Sequence, residues 1–258
     1  MKPPVVGFFY LTLPSVMNRV VIIPTYNEIE NVEHMIRTVH GVDHEMHVLI
    51  VDDGSPDGTG ERVDELRSEF PGTLHILKRQ GKQGLGTAYI AGFQWCLENE
   101  YEYIFEMDCD FSHNPEDLPR MYRRCLEDDA DVVVGSRYVD NLVNVVNWPM
   151  GRVLLSYFAS MYVRLITRMK IMDTTAGFVC YHRNVLDKID LDKIRFKGYA
   201  FQIEMKFTAI CYGFKVVEIP IIFTDRTKGV SKMSKGIVKE ALLGVIQMKF
   251  RSLFRKFE

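Results

Sequence analysis

Tyr103-Ile104-Phe105-Glu106-Met107-Asp108-Cys109-Asp110 reads as a buried strand that ends in two carboxylates. Side chains alternate along extended chain, so Asp108 and Asp110 point the same way and converge beyond the strand end. Two hard oxygen ligands there suit Mg2+ or Mn2+ held partly by substrate phosphates. Taken alone, so short a motif is more often a solvated acidic turn. A calcium hand is excluded, because its sixth and twelfth positions would be His113 and Pro119.

Outward from this stretch, Val20 to Ile23, His47 to Val51, Leu74 to Leu77 and Asp131 to Val134 also read as buried strands, with amphipathic helical segments between them. Strands joined by helical crossovers cannot be hairpins, which predicts an α/β fold: a Rossmann-like, mainly parallel sheet with helices on both faces. Ligands of such sheets sit beyond the carboxyl ends of the strands. Polar clusters follow four of these runs directly: Pro24 to Glu28, Asp52 to Asp57, Asp108 to Ser112 and Gly135 to Tyr138. The second half predicts a helix over Gly151 to Met169, another near Ala200 to Gly213, and strands around Phe214 to Glu218 and Ile221 to Thr224. The expected organisation is a disordered leader over 1–17, with Met17 as an alternative first residue, one catalytic domain over 18–235 and a basic amphipathic helix over 236–258.

Of the 258 residues, 47% are hydrophobic and 26% charged, the balance of a globular protein. A net charge of −2 names no partner, but Arg226 to Glu258 holds nine Lys or Arg against two Asp or Glu. The five cysteines show neither paired nor metal-finger spacing, which fits a reduced, cytoplasmic setting. Arg152, Arg164 and Arg168 interrupt the most apolar stretch, so no run has the roughly 18 to 20 apolar residues of a spanning helix.

Adjacent Asp52 and Asp53 at a strand end repel unless a cation or hydroxyl donors stand nearby, whereas the following glycines are explained by a tight turn. Asn27 can cap a helix beginning at Glu28, while Tyr26 and Glu28 can instead hold a base and ribose. Gly81 to Thr87 lacks Walker spacing and reads as the start of a helix with Lys82 as a phosphate neighbour. Arg137 and Arg152 lie near apolar surface, where an unpaired charge is costly, and an anionic ligand is the expected partner. Arg152 and Ser156, four apart on a helix, can reach one anion.

Together PTYNE (24–28), DDGSPDGT (52–59), GLGTAY (84–89), the D-x-D with FSHNP after it, and GSRY (135–138) resemble glycosyltransferase family 2, the inverting GT-A class. Tyr199 to Glu204 and Asp225 to Lys232 extend the likeness over nearly the whole chain and narrow it to polyprenol (dolichyl) phosphate mannosyltransferases. The resemblance implies transfer of mannose from GDP-mannose to a polyprenyl phosphate. It places Pro24, Tyr26, Glu28, Val51 and Asp53 around guanosine, and Asp108, Cys109 and Asp110 at the diphosphate. Asp108, Asp110 and Ser112 would hold the metal, Arg226 and Lys232 would close over the diphosphate, and Arg137, Arg152 and Ser156 would grip the acceptor phosphate. Asp110, Arg137 and Arg226 form the implied catalytic set. Cys109 departs from the small residue, usually alanine, expected between the aspartates.

A phosphate acceptor is already anionic near neutral pH, so no general base is nominated. The terminal segment mixes apolar residues such as Leu242, Ile246 and Phe254 with Lys249, Arg251 and Arg255, which suits peripheral attachment to the cytoplasmic face of a membrane or docking on the protein body. The alternatives are another donor, such as UDP-glucose or UDP-GlcNAc, or a non-catalytic nucleotide-sugar-binding protein. The acidic body argues against nucleic acid as a partner.

Overall fold

The computed structural model describes residues 18–139, 143–198, 200–225, 235–254 and 257, with side chains omitted at 235–241. The expected leader, Tyr199, Arg226 and Lys232 lie outside the described residues.

Seven strands form the main sheet: β1 (Arg19–Thr25), β2 (His47–Asp52), β3 (Leu74–Lys78), β4 (Tyr103–Glu106), β5 (Val132–Ser136), β7 (Val179–His182) and β8 (Val216–Pro220). Their spatial order is β3-β2-β1-β4-β7-β5-β8. The pairs β1–β2, β1–β4, β2–β3 and β5–β8 are parallel, as the helical crossovers require. The sheet is mainly parallel as expected; the one strand in it that the sequence does not mark is β7, which runs antiparallel to both β4 and β5 at the sheet's centre. Val179–His182 is a short, unalternating run buried on both faces, so it carries no periodic signal.

Helices cover both faces, which is why the strand sequences are continuous apolar runs. Along β1, Val21 and Ile23 join one core with α1 (Val32–Val42), α2 (Thr59–Leu66) and α4 (Leu118–Asp128). Val20 and Ile22 join the other with α3 (Leu85–Glu98), α6 (Arg183–Lys188) and α7 (Ala200–Cys211). A third, smaller core joins α5 (Met150–Thr167), α7 and α8 (Lys235–Ser252) through Val163, Ile203, Phe207, Val245 and Met248. The terminal helix thus docks on the body, while Leu243, Ile246 and Phe250 on its other side stay exposed. A two-stranded ribbon, β6 (Val145–Val146) with β9 (Phe223–Thr224), lies outside the main sheet. Among the described residues no helix is long and apolar enough to cross a membrane.

Asn27 does not cap α1. It adopts a left-handed conformation (φ 57°), its N–H donates to Ser55 Oγ at 3.0 Å, and the helix starts at Val32.

Candidate active site

The ends of β1 and β2 are tied together by polar groups. Asp52 accepts hydrogen bonds from Thr25 Oγ1 (2.9 Å), Ser55 Oγ (2.6 Å) and the Ser55 amide (3.0 Å). Asp53 forms a buried ion pair with Arg79 at 2.9 Å; burial pushes its carboxyl above the ordinary carboxylate range, and Arg79 opposes that rise. Hydroxyl donors and a cation therefore answer the repulsion that the adjacent carboxylates posed. Gly54 sits at φ 66°, where any side chain is strained, and a Cβ there would crowd the Gly81 amide nitrogen at 3.0 Å. Lys82 lies 5.0 Å from the centre of the Tyr26 ring. Pro24, Tyr26 and Glu28 are partly buried at the β1 end, whereas the Val51 side chain is fully buried, leaving only its backbone for a ligand.

Beside β1, β4 delivers the D-x-D. Ile22 pairs with Glu106, so Asp108, two residues past the end of β4, comes level with Pro24 at the end of β1. Asp110 is buried and accepts the Ser112 amide at 3.0 Å. Ser112 Oγ is buried without a hydrogen-bond partner, an oxygen suited to complete a metal shell begun by carboxylates. No group of three His, Cys, Asp or Glu side chains forms a closed metal cage among the described residues. The site matches a cation bound by one or two carboxylates plus ligand oxygens. Cys109 points its side chain into the core.

His113 is a participant that the sequence reading did not assign. Its ring stacks on Phe178 with centroids 5.0 Å apart, and its Nδ1 accepts the Asp108 amide at 3.2 Å. Burial pulls its pKa down to about 4, outweighing the Asp110 carboxylate, so the ring is neutral at physiological pH with its proton on Nε2.

Arg137, just after β5, is paired inside the protein, which corrects the expectation that an external anion is its first partner. Its Nε and one terminal nitrogen donate to Asp173, both at 2.7 Å, and the latter nitrogen also donates to Thr175 Oγ1 at 2.9 Å. Asp173 is fully buried; burial raises its pKa, but the guanidinium outweighs this and holds it below the usual carboxylate value. Arg152 similarly has Asp225 at 2.8 Å, but in a partly exposed pair. The β6–β9 ribbon places Phe223 and nearby Trp148, and Arg137 and Arg152 lie 5.6 and 4.1 Å from the Trp148 ring centre.

One cavity of about 220 Å³ joins these groups. Asp108, Asp110, Ser112, His113, Arg137, Arg152 and Ser156 line its polar end; Leu155, Tyr162, Val163, Leu242 and Val245 line an apolar trough between α5 and α8. The expected metal and acceptor residues therefore share one cavity. Pro24, Tyr26, Glu28, Val51, Asp53 and Cys109 are not on its wall.

The family Glycosyl transferase family 2 matches residues 20–190. The chain is 46% identical over 240 residues to the polyprenol monophosphomannose synthase of Mycolicibacterium smegmatis, covering 93% of this chain and 90% of that one. It is also 46% identical over 229 residues to the undecaprenyl-phosphate mannosyltransferase of Micrococcus luteus, covering 89% and 93%. Among solved structures, a Pyrobaculum calidifontis mannosyltransferase in complex with GDP-Man and Mn2+ superposes with a TM-score of 0.57 at 17% identity, covering 93% of this chain and 65% of that one. Glucosyl-3-phosphoglycerate synthase of Mycobacterium tuberculosis with Mn2+ and UDP-Glc gives 0.66 at 14% identity, covering 93% and 80%. These two likenesses show the fold. With two thirds of its length matched by the family and close relatives along nearly all of it, this chain belongs to glycosyltransferase family 2.

Proposed function

We propose that the chain transfers mannose from GDP-mannose to a polyprenyl phosphate, inverting the anomeric centre, at the cytoplasmic face of a membrane. The observation that carries the reading is the single cavity in which the D-x-D meets two arginines and an apolar trough. A lipid phosphate has that polarity, one charged head on an apolar chain. The names of the relatives that are 46% identical support the same donor sugar and acceptor class.

Asp108 and Asp110, with Ser112, would hold Mg2+ or Mn2+, which when bound neutralises charge on the leaving diphosphate. Pro24, Tyr26, Glu28, Asp53 and the Val51 backbone take the nucleoside, and the Cys109 backbone faces the diphosphate. Arg137, Arg152 and Ser156 orient the acceptor phosphate, and Trp148 supports both guanidiniums. Arg226 and Lys232, outside the described residues, supply further positive charge to the diphosphate. The attacking oxygen is already ionised, its second pKa being about 6, so no side chain need remove a proton. What the protein supplies is orientation and charge placed where charge develops.

Among the described residues, α5 and the terminal segment hold twelve of the seventeen exposed large hydrophobic residues, including Leu154, Phe158, Leu165, Phe250 and Phe254. Gathered beside the trough, these residues form the apolar patch of a protein that meets lipid. Residues 18–235 then act as the catalytic body and 236–258 as part of its attachment.

The direct test is incubation with labelled GDP-mannose, Mn2+ and a polyprenyl phosphate, scoring label in the organic phase. Transfer is expected, and Asp110→Asn should lower its rate about 10²- to 10³-fold. No transfer with GDP-mannose but transfer with UDP-glucose would overturn the donor assignment.

A further inference from the structure

Helix α7 carries a lysine where its sequence neighbours are core. Lys206 is fully buried among Met205, Phe207 and Ala209, and its Nζ donates to the Ala176 carbonyl at 2.6 Å. Ala176 belongs to the segment 173–177, whose Asp173 and Thr175 hold the Arg137 guanidinium. Glu218 anchors the front of that segment by accepting the amides of Met172 (2.7 Å) and Asp173 (2.9 Å). Lys206 anchors its back.

A buried ammonium is costly, and a methionine of similar length would fill the same space without that cost. Burial draws the Lys206 pKa down to about 8, and the carboxylates of Glu106 and Asp173 oppose the fall. Glu106 is also fully buried, two residues before Asp108; burial pushes its carboxyl up to about 8, and Lys206 and the neighbouring Gln202 oppose that rise. Gln202, one turn before Lys206, reaches the cavity wall. The ammonium thus stands behind both ends of the site, with a direct bond only to the segment under Arg137.

We propose that Lys206 is a positioning residue, which fixes the segment 173–177 from within the core and so aims Arg137 at the acceptor phosphate. This rests on the assignment of Arg137 to that phosphate.

The test compares Lys206→Met, the double variant Lys206→Met with Glu106→Gln, and Arg137→Met, using the full chain, Mn2+ and a soluble short-chain polyprenyl phosphate. Melting temperature, GDP affinity and the acceptor KM are read for each. Lys206→Met is expected to raise the acceptor KM about 10-fold or more while leaving GDP affinity within roughly twofold. The double variant also removes the buried carboxyl that faces the Lys206 ammonium, so its melting temperature should return toward wild type. Its acceptor KM should stay raised, because the bond to Ala176 is still missing. Recovery of KM together with melting temperature would show a purely structural role and overturn the proposal, and so would an equal loss of GDP affinity. If Lys206→Met does not fold, the double variant alone carries the test. If Arg137→Met leaves the acceptor KM unchanged, the acceptor assignment itself fails. If it raises KM and the double variant does not, only the role of Lys206 is lost.

Discussion

The carboxyl edge of the sheet and the α5–α8 pair meet in one cavity but are built on opposite principles. At the edge, Asp52, Asp53, Asp110, Arg137 and Asp173 are buried and met by groups within the protein. On the helix pair, Leu165 is 79% exposed and Phe250 62%, and the Arg152–Asp225 pair is open to solvent. The edge is preorganised, and each of its charges is placed before substrate arrives. The helix pair leaves apolar side chains open to water, the kind of surface that marks a contact with another apolar partner.

The sharpest way to break that contrast is to remove one arginine from each region. Arg137→Met strands Asp173, a fully buried carboxylate, and should cost about 3 to 5 kcal/mol of unfolding free energy. Arg152→Met opens a partly exposed pair and should cost under about 1 kcal/mol, while raising the acceptor KM. Urea unfolding of both variants checks this; equal losses would erase the distinction between a built-in and a borrowed charge.

A pH titration sharpens the same point at His113. Its folded pKa, about 4, lies below the ordinary 6.5, so the unfolded chain takes up a proton first as pH falls. Its stabilising contribution is full above pH 6.5 and is lost between there and about pH 4, on the order of 2 to 3 kcal/mol. His113→Asn keeps an acceptor for the Asp108 amide and should flatten that limb. Asp173, with its pKa lowered, acts only at more acid pH, below its ordinary 3.8. If the variant loses as much stability as the parent between pH 7 and 4.5, the buried neutral ring is not the cause.

Much of this architecture is legible in the sequence, and the exceptions share a physical reason. Strands buried on both faces announce themselves as apolar runs, and the four polar clusters after them mark the edge. The spacing of Arg152 and Ser156 places both on the cavity wall. By contrast, the partner of Arg137 lies 36 residues away, in a segment with no periodicity, and only the antiparallel insertion of β7 brings it near. Lys206 and Glu106 have the residue types of solvated positions, so their burial depends on tertiary contacts that no local pattern encodes. The mixture of apolar and basic residues in the terminal segment predicts a single apolar face, whereas in the structure its apolar residues divide between the body and the surface.

On the helix side, Leu165→Glu combined with Phe250→Glu should weaken binding to anionic vesicles about 10- to 100-fold, since each exposed apolar side chain is worth roughly 1.5 to 3 kcal/mol when fully buried and less in an interface. Turnover of a soluble short-chain acceptor should be unchanged within roughly twofold, because neither residue lines the cavity. Vesicle cosedimentation and a soluble assay separate the two; unaltered vesicle binding would place the lipid contact elsewhere.

The smallest effect is expected between the two carboxylates. Cys109 is 3% exposed and belongs to the core cluster with Met107, Leu118 and Phe178, so its side chain serves packing while its backbone carries Asp108 and Asp110. Cys109→Ala removes one buried sulfur and should cost about 1 kcal/mol, a fall of roughly 2 to 4 °C in melting temperature. GDP affinity and transfer rate should stay within roughly twofold, since the backbone of the turn is kept. Cys109→Leu, by overfilling the same space, should cost about 1 to 3 kcal/mol and displace the turn, lowering metal-dependent GDP binding as well. The pair of variants separates packing from contact. A tenfold loss of GDP affinity in Cys109→Ala at unchanged stability would mean that the thiol itself touches the diphosphate, and the division between core-facing and ligand-facing atoms at this strand end would have to be redrawn.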